Sequence, residues 1–215
     1  MKKNNENKKN NKVLIIISIV VLVLVAFLAL RLREKPTKTT VETDSEKFAR
    51  EYGWVDEFGN KIDNVFVYRT PEEIIKILKN GTGIVYLGFP ECPWCGQYVV
   101  YLNEVAKKNN VKKINYLNIL EDRKNNTDAY KEITSILSDY LQYDDDGNKR
   151  IYVPAVIAVK DGKIVGFDDE TSYDTKGYEN PQDYWENEDL AGLKDKLSCM
   201  MKDCEKSICT SDCNK

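Results

Sequence analysis

The sequence predicts an α/β protein in which a central mixed β-sheet is flanked by helices and preceded by one N-terminal transmembrane helix. Three observations predict this architecture. Short β-rich runs alternate with runs at helical spacing between residues 64 and 143, a pattern that builds a sheet of mainly parallel strands. Two further apolar runs flank an Asp-Gly pair, which is typical of an antiparallel hairpin. An apolar stretch near the N-terminus is long enough to cross a membrane.

That stretch covers residues 13–30, and Ser18 is the one polar residue in it. As a helix rising ~1.5 Å per residue, it nearly matches a hydrocarbon core of ~30 Å. We therefore assign residues 1–12 to a basic cytoplasmic tail and residues 13–32 to a membrane anchor. A cleaved signal peptide is the alternative, but residues 27–29 make a poor cleavage site.

Cysteine usage predicts that residues 31–215 lie outside the cytoplasm. The chain has six cysteines, four of them within its last 17 residues, and this density suits an oxidising compartment. Five basic residues precede the anchor and four follow it. This difference is too small for the positive-inside rule to indicate the orientation by itself. The sequence thus predicts a single-pass protein of the cell membrane with an extracytoplasmic domain.

Charge and composition exclude several classes of function. Residues 1–40 carry a net charge of +7 and the rest of the chain carries −10. An acidic domain lacks the surplus of Lys and Arg that phosphate contacts need, so nucleic acid is not an expected partner. The chain contains no histidine, which excludes Ser-His-Asp and Cys-His catalysis and the common His-containing metal sites.

The predicted elements follow in a regular order. Residues 33–61 form a linker and N-terminal extension, with a short helix at 46–54 and a turn at 56–61. The domain covers residues 62–200, with predicted strands at 65–68, 83–89, 113–120, 152–159 and 163–167 and predicted helices at 70–80, 96–108, 127–143 and 190–200.

Local signals support several of these boundaries. Thr70, Pro71 and Glu73 supply an N-cap, a first-turn proline and a capping box for the helix that Gly81 ends. The acidic run 144–148 lacks the ligand spacing and the closing glutamate of an EF-hand, so we predict a solvated turn there.

The candidate chemistry lies in Cys92-Pro93-Trp94-Cys95, where a predicted strand gives way to a helix. Two thiols at this spacing form a reversible disulfide. With Cys92 at the N-cap and Pro93 at the first helical position, the free N–H groups and the helix dipole favour the Cys92 thiolate. A plain structural disulfide is the alternative interpretation.

Together with Val153-Pro154 at the start of the later hairpin, this motif and the order of the elements resemble the thioredoxin superfamily over residues 62–200. The chain is similar, more distantly, to thioredoxin-like accessory proteins encoded with bacteriocin exporters in Gram-positive bacteria. The resemblance implies that Cys92 is an exposed attacking thiol and Cys95 a buried resolving thiol. It also implies that Val153-Pro154 is a cis-proline site that offers backbone groups to an extended substrate.

The chain departs from the family pattern at three places. Tyr86 stands where thioredoxins carry a buried aspartate, so proton transfer at the second cysteine needs another group. Glu91 replaces a tryptophan, and Pro-Trp replaces Gly-Pro between the cysteines. Trp94 is either a substrate contact or a surface-packing residue, because aromatic side chains serve both purposes.

Four further cysteines end the chain, at Cys199, Cys204, Cys209 and Cys213. Two structural disulfides that staple a polar tail, residues 199–215, are the leading prediction. A four-thiolate zinc site, an accessory redox pair and free thiols are the alternatives.

The predicted function is that of a membrane-anchored, extracytoplasmic thiol–disulfide oxidoreductase that exchanges disulfides with protein substrates through Cys92 and Cys95. It needs no bound cofactor and no metal, but it needs a redox partner at the membrane or small thiols to reset it. A non-catalytic accessory module for the export of a secreted peptide is the alternative, and a cysteine-rich metal-binding protein is a third.

Overall fold

The computed structural model describes residues 19–25, 41–169 and 177–205, with side chains described up to residue 202. The chain divides into two compact units, Met1–Val41 and Glu42–Lys215. In the first unit, residues 19–25 are helical and their apolar side chains are exposed. Among the described residues, no helix has the length and apolar character to cross a membrane. Most of the predicted anchor and the whole basic tail lie outside the described residues.

The second unit contains seven helices and seven strands within its described part. In chain order these are α1 (Asp44–Glu51), β1 (Phe66–Tyr68), α2 (Pro71–Asn80), β2 (Gly83–Gly88), α3 (Pro93–Lys108), β3 (Ile114–Asn118), α4 (Leu120–Lys124), α5 (Asp128–Ile136), β4 (Gln142–Tyr143), β5 (Lys149–Arg150), β6 (Ala155–Lys160), β7 (Lys163–Asp168), α6 (Pro181–Asn187) and α7 (Leu190–Glu205).

Five strands form one mixed sheet in the order β1-β3-β2-β6-β7. Strand β3 pairs in parallel with β1 and with β2, whereas β6 pairs antiparallel with β2 and with β7. The predicted α/β architecture with a central mixed sheet is confirmed, and the topology is compatible with a thioredoxin-like fold. Strand β2, the central strand, leads directly to the two cysteines.

The two faces of the sheet are packed differently. Side chains of β2 alternate between them, so Tyr86 joins one cluster while Val85 and Leu87 join the other. The first cluster is rich in aromatic rings and is covered by α1, α3, α6 and α7. The second is mainly aliphatic and is covered by α2 and α5. The first turn of α3 lies at the boundary, because Cys92 and Cys95 belong to the aliphatic cluster while later residues of the same helix pack on the aromatic face.

Local sequence signals act as predicted at α2 and at the β6–β7 hairpin. The Glu73 N–H donates to Thr70 Oγ1 at 3.3 Å, and the Thr70 N–H donates to Glu73 Oε2 at 2.9 Å, which completes the capping box. Gly81 ends the helix in an extended conformation, where an added Cβ would lie 2.8 Å from the Ile77 Cα. In the hairpin turn Asp161 and Gly162 have φ values of 48° and 73°, as a primed turn requires.

The predicted helix at 127–143 is too long. Helix α5 starts after the Thr127 N-cap but ends at Ile136, and after a turn over residues 137–140 strand β4 begins at Gln142. The cause is the acidic turn, in which Asp144 Oδ1 accepts hydrogen bonds from the backbone of Asp146 and Asn148 at 3.2 and 2.8 Å. This Asx turn folds β5 back onto β4, so hairpin pairing replaces the last helical turns.

Other boundaries also differ. Helix α1 begins earlier than predicted because Thr43 and Glu46 form a second capping box. Strand β6 begins at Ala155, after the proline, and α7 runs five residues beyond the predicted end. Helices α4 and α6 were not predicted, since both are shorter than two and a half turns and carry little periodic signal.

Candidate functional site

Cys92 lies where the sequence predicts, at the N-cap of α3. Its backbone is extended, with φ −87° and ψ 113°, and Pro93 occupies the first helical position. The Cys95 N–H donates to the Cys92 sulfur at 3.2 Å. The sulfur therefore takes the place that a Ser or Asp oxygen takes in an ordinary N-cap. This geometry aims the free N–H groups of the first turn at one sulfur atom.

These contacts lower the pKa of Cys92 to about 7. The largest cause is the hydrogen bond from the Cys95 thiol, and the backbone N–H groups of Cys95 and Trp94 add to it. The positive charge of Arg123 acts in the same direction, whereas partial burial opposes it. A large fraction of Cys92 is therefore thiolate at neutral pH.

Cys95, one helical turn further on, is fully buried. Burial raises the pKa of its thiol far above the ordinary value, and the hydrogen bond and negative charge of Cys92 raise it further. The backbone N–H of Phe89 and the hydroxyl of Tyr86 lower it in part. Cys95 thus keeps its proton and donates it to the Cys92 thiolate.

Both cysteines are free thiols in this structure. The exposed fraction of Cys92 is 9%, against 0% for Cys95. The prediction of an exposed Cys92 is therefore wrong in degree, because the residue packs into the aliphatic cluster at the end of the sheet. The predicted order is nevertheless present, with Cys92 the more accessible of the two.

The Val153–Pro154 peptide bond is cis, as the resemblance implies. The Cys92 thiol donates to the Val153 carbonyl oxygen across 3.9 Å, although 61 residues separate them in the chain. Pro154 is buried and Val153 is partly buried. The fold therefore brings together the predicted redox pair and the predicted substrate-binding backbone.

Trp94 packs within the domain. Its partly buried ring lies edge-on to the Tyr184 ring of α6, with centroids 5.3 Å apart and planes at 82°. Tyr178 and Trp185 pack on Tyr184 in turn. Trp94 therefore has a packing contact within the domain, while its contact with substrate stays a prediction.

Tyr86 is a core residue and belongs to a largely buried group of tyrosines near Cys95. It is fully buried, and its ring stacks on Tyr116 with centroids 5.6 Å apart. The Tyr52 hydroxyl donates to the Tyr116 hydroxyl at 3.3 Å. Burial is the largest cause that raises the pKa of each of these three phenols. All three therefore stay neutral at physiological pH.

The hydroxyl of Tyr86 has an unusual environment. Within the described residues it forms no hydrogen bond of good geometry, yet it lies close enough to Cys95 to lower the pKa of that thiol. It packs against Gly88, where an added Cβ would come within 2.3 Å of the oxygen. The glycine thus leaves room for the phenol at the end of β2, and the phenol keeps a proton that it can donate.

Arg123 is a site residue that the sequence analysis missed. It lies on α4, with its guanidinium carbon 4.9 Å from the centroid of the Phe89 ring. Its Nη1 donates to the Ile151 carbonyl oxygen at 3.5 Å. No local pattern around Arg123 could have revealed this role, because its neighbours come from distant parts of the chain.

Of the four C-terminal cysteines, Cys199 is disulfide-bonded. The side chains of Cys204, Cys209 and Cys213 lie outside the described residues, so the pairing stays a prediction. Within the part of the chain that is described, no cluster of three or more Cys, Asp or Glu side chains could hold a metal ion.

Comparison with known proteins gives no relative: no family model, no curated protein and no solved structure matches this chain.

Proposed function

We propose that this protein is a thiol–disulfide oxidoreductase with a thioredoxin-like fold, which exchanges disulfides with protein substrates through Cys92 and Cys95. One observation carries the proposal: two free thiols one helical turn apart have opposite environments. The pKa of Cys92 is lowered to about 7, while burial raises that of Cys95. A low-pKa thiol on a helix N-cap is typical of reactive cysteines, whereas structural cysteines are inert.

The reaction begins with attack of the Cys92 thiolate on one sulfur of a substrate disulfide. A bond forms between Cys92 and that sulfur, the substrate S–S bond breaks, and the second substrate sulfur leaves as a thiolate that takes up a proton. The Cys95 thiol then loses its proton and attacks the Cys92 sulfur. The mixed disulfide breaks, the substrate leaves with two thiols, and the protein holds a Cys92–Cys95 disulfide. The reverse sequence oxidises a substrate dithiol.

The contact between Cys92 and the Val153 carbonyl supports a protein substrate. That carbonyl already accepts from the Cys92 thiol across 3.9 Å. An extended chain that pairs with the backbone at Val153 would bring its own sulfur to Cys92, in the manner of an added strand. Main-chain pairing of this kind binds many different sequences, which suits a disulfide exchange protein.

We further propose that the protein is anchored by residues 13–32 and acts outside the cytoplasm. The apolar run in the sequence supports the anchor. The disulfide at Cys199 supports an oxidising compartment, where such bonds persist. A membrane electron carrier or small thiols would then reset the Cys92–Cys95 pair.

A redox titration tests the proposal. The full-length chain is equilibrated in glutathione buffers, the thiols are alkylated, and peptide mapping reads the state of each cysteine separately. We expect the Cys92–Cys95 couple to titrate between about −270 and −120 mV, with Cys199 oxidised throughout. A Cys92–Cys95 pair that stays oxidised below about −300 mV would be a structural disulfide, and the proposal would then be wrong.

A further inference from the structure

A cavity of about 570 Å³ lies between helices α4 and α5 and the β4–β5 hairpin, and neither Cys92 nor Cys95 belongs to its lining. Its lining combines side chains from all three elements. Four of the lining side chains are cationic, and they are Arg123, Lys131, Lys149 and Arg150. Asp144 is the single carboxylate in the lining. The cavity therefore carries a local positive charge in a domain whose overall charge is negative.

The positive charge is poorly compensated. Within the described residues, Arg123, Lys149 and Arg150 form no ion pair, and Lys131 pairs with a fully exposed carboxylate at 3.0 Å. One oxygen of the Asp144 carboxylate, Oδ1, accepts hydrogen bonds from two backbone N–H groups of its own turn. Burial is the largest cause that lowers the pKa of Arg123, and the positive charge of Arg150 lowers it further. Two guanidinium groups thus line one cavity, and neither forms an ion pair within the described residues.

Two residues of the cavity lining also carry buried hydrogen-bond donors. Arg150 Nε and Thr134 Oγ1 are buried and, within the described part of the chain, have no hydrogen-bond partner. The Tyr130 hydroxyl accepts from the Ile151 N–H at 3.2 Å, which leaves its own proton for another acceptor. Buried donors without partners cost free energy, so they mark a place where an acceptor belongs.

We infer that this cavity binds a small anion with at least two negative charges, held by the guanidinium groups of Arg123 and Arg150. The planar guanidinium group matches the oxygens of carboxylates and phosphates in a two-pronged fashion, which makes arginine the usual ligand for such groups. Thr134 and Tyr130 supply neutral donors to the remaining oxygens. The volume is large enough for a metabolite-sized molecule.

The site has a consequence for the redox pair, which rests on the function proposed above. Arg123 lines the cavity and also lies over the ring of Phe89, three residues before Cys92 in the chain, and its positive charge favours the Cys92 thiolate. The charged and titratable groups that act on Arg123 are Arg150, Tyr130 and the two cysteines. An anion bound to Arg123 offsets its charge, so the bound anion makes Cys92 less acidic and slows its reaction below neutral pH.

Calorimetric titration of the full-length chain with inorganic pyrophosphate and with citrate, at constant ionic strength, tests the inference. We expect a dissociation constant below about 1 mM for at least one of them. Arg150→Gln should weaken binding by about tenfold or more, because it removes charge-assisted hydrogen bonds. The matched control is Lys163→Gln, which removes the charge of an exposed side chain at the start of β7 and should leave binding within about twofold.

Binding of pyrophosphate alone indicates a phosphate-bearing ligand, and binding of citrate alone indicates a carboxylate-bearing one. If Arg150→Gln fails to fold, as judged by circular dichroism, Lys149→Gln replaces it, with an expected loss of about threefold or more. No binding of either anion at about 10 mM overturns the inference, and so does equal binding by the wild type and the folded variant. The calorimetric result does not depend on thiol exchange, so a redox-inactive protein that binds the anion would contradict only the proposed function.

Discussion

The two cysteine environments are separated by one helical turn and differ in almost every physical respect. Cys92 meets the N–H groups of the first turn, the Cys95 thiol and a distant arginine, and all of these favour its thiolate. Cys95 meets apolar side chains and a neutral phenol, and burial keeps it protonated. A short motif therefore sets the reactivity of its first thiol mainly through its own residues, namely the second thiol and the backbone N–H groups of the first turn, whereas the second thiol depends on the core beneath it.

The largest expected effect comes from removing each sulfur in turn. Cys92→Ser should reduce disulfide exchange to the uncatalysed rate, because the attacking thiolate is lost. Cys95→Ser should still attack but should accumulate a mixed disulfide with the substrate, because nothing resolves it. Non-reducing gels with a disulfide-bonded substrate protein distinguish the two variants. Mixed disulfides formed by Cys92→Ser through Cys95 would reverse the assigned roles.

The pH profile of alkylation gives the next largest effect. With the pKa of Cys92 at about 7, the alkylation rate should rise about tenfold per pH unit below pH 7 and level off above it. Below the pKa the thiol is protonated and slow, and above it the thiolate is fully formed. Iodoacetamide kinetics followed by mass spectrometry of the Cys92 peptide measures this profile.

Two substitutions at Cys95 sharpen the same measurement. Cys95→Ala removes the hydrogen bond that is the largest cause of the lowered pKa, so the inflection should move up by about one unit or more. Cys95→Ser keeps a donor and should move it less. Equal shifts in both variants would mean that the side-chain hydrogen bond is not the main cause.

Tyr86→Phe tests the core beneath Cys95. We expect the release of substrate from the mixed disulfide to slow by about tenfold, because the phenol no longer donates to the Cys95 thiolate as it forms. The free energy of unfolding should change by less than about 1 kcal/mol, because this hydroxyl has no well-formed hydrogen bond within the described residues. Single-turnover kinetics and denaturant unfolding measure the two quantities.

Tyr98→Phe is the matched control. The Tyr98 hydroxyl is equally buried but donates to the buried Asp168 carboxylate. Its loss should destabilise the fold by about 1–3 kcal/mol and leave the release rate unchanged. If the two variants behave alike, Tyr86 has a purely structural role.

The smallest expected effect is that of Arg123→Gln. Its charge is the last of the causes that lower the pKa of Cys92, so we expect the alkylation inflection to rise by less than about one unit. Lys163→Gln should leave the inflection in place. An unchanged profile in Arg123→Gln would remove the link between the cationic cavity and Cys92 while leaving anion binding itself to calorimetry.

The features that were predicted correctly are those that depend on residues close together in the chain. The capping box at Thr70 and Glu73, the Asp161-Gly162 turn and the N-cap position of Cys92 were all predicted correctly, because each is decided within about four residues. The order of strands and helices followed from periodicity, since burial on one face repeats every two or 3.6 residues.

The features that could not be predicted arise from contacts between segments that are far apart in the chain and meet only in the folded protein. The partial burial of Cys92 and the edge-on packing of Trp94 on Tyr184 both depend on residues far away in the chain. The same holds for the cationic cavity and for the position of Arg123 beside the redox pair. Packing and Coulomb interactions depend on distance in space, and only the folded chain fixes which charges and rings become neighbours.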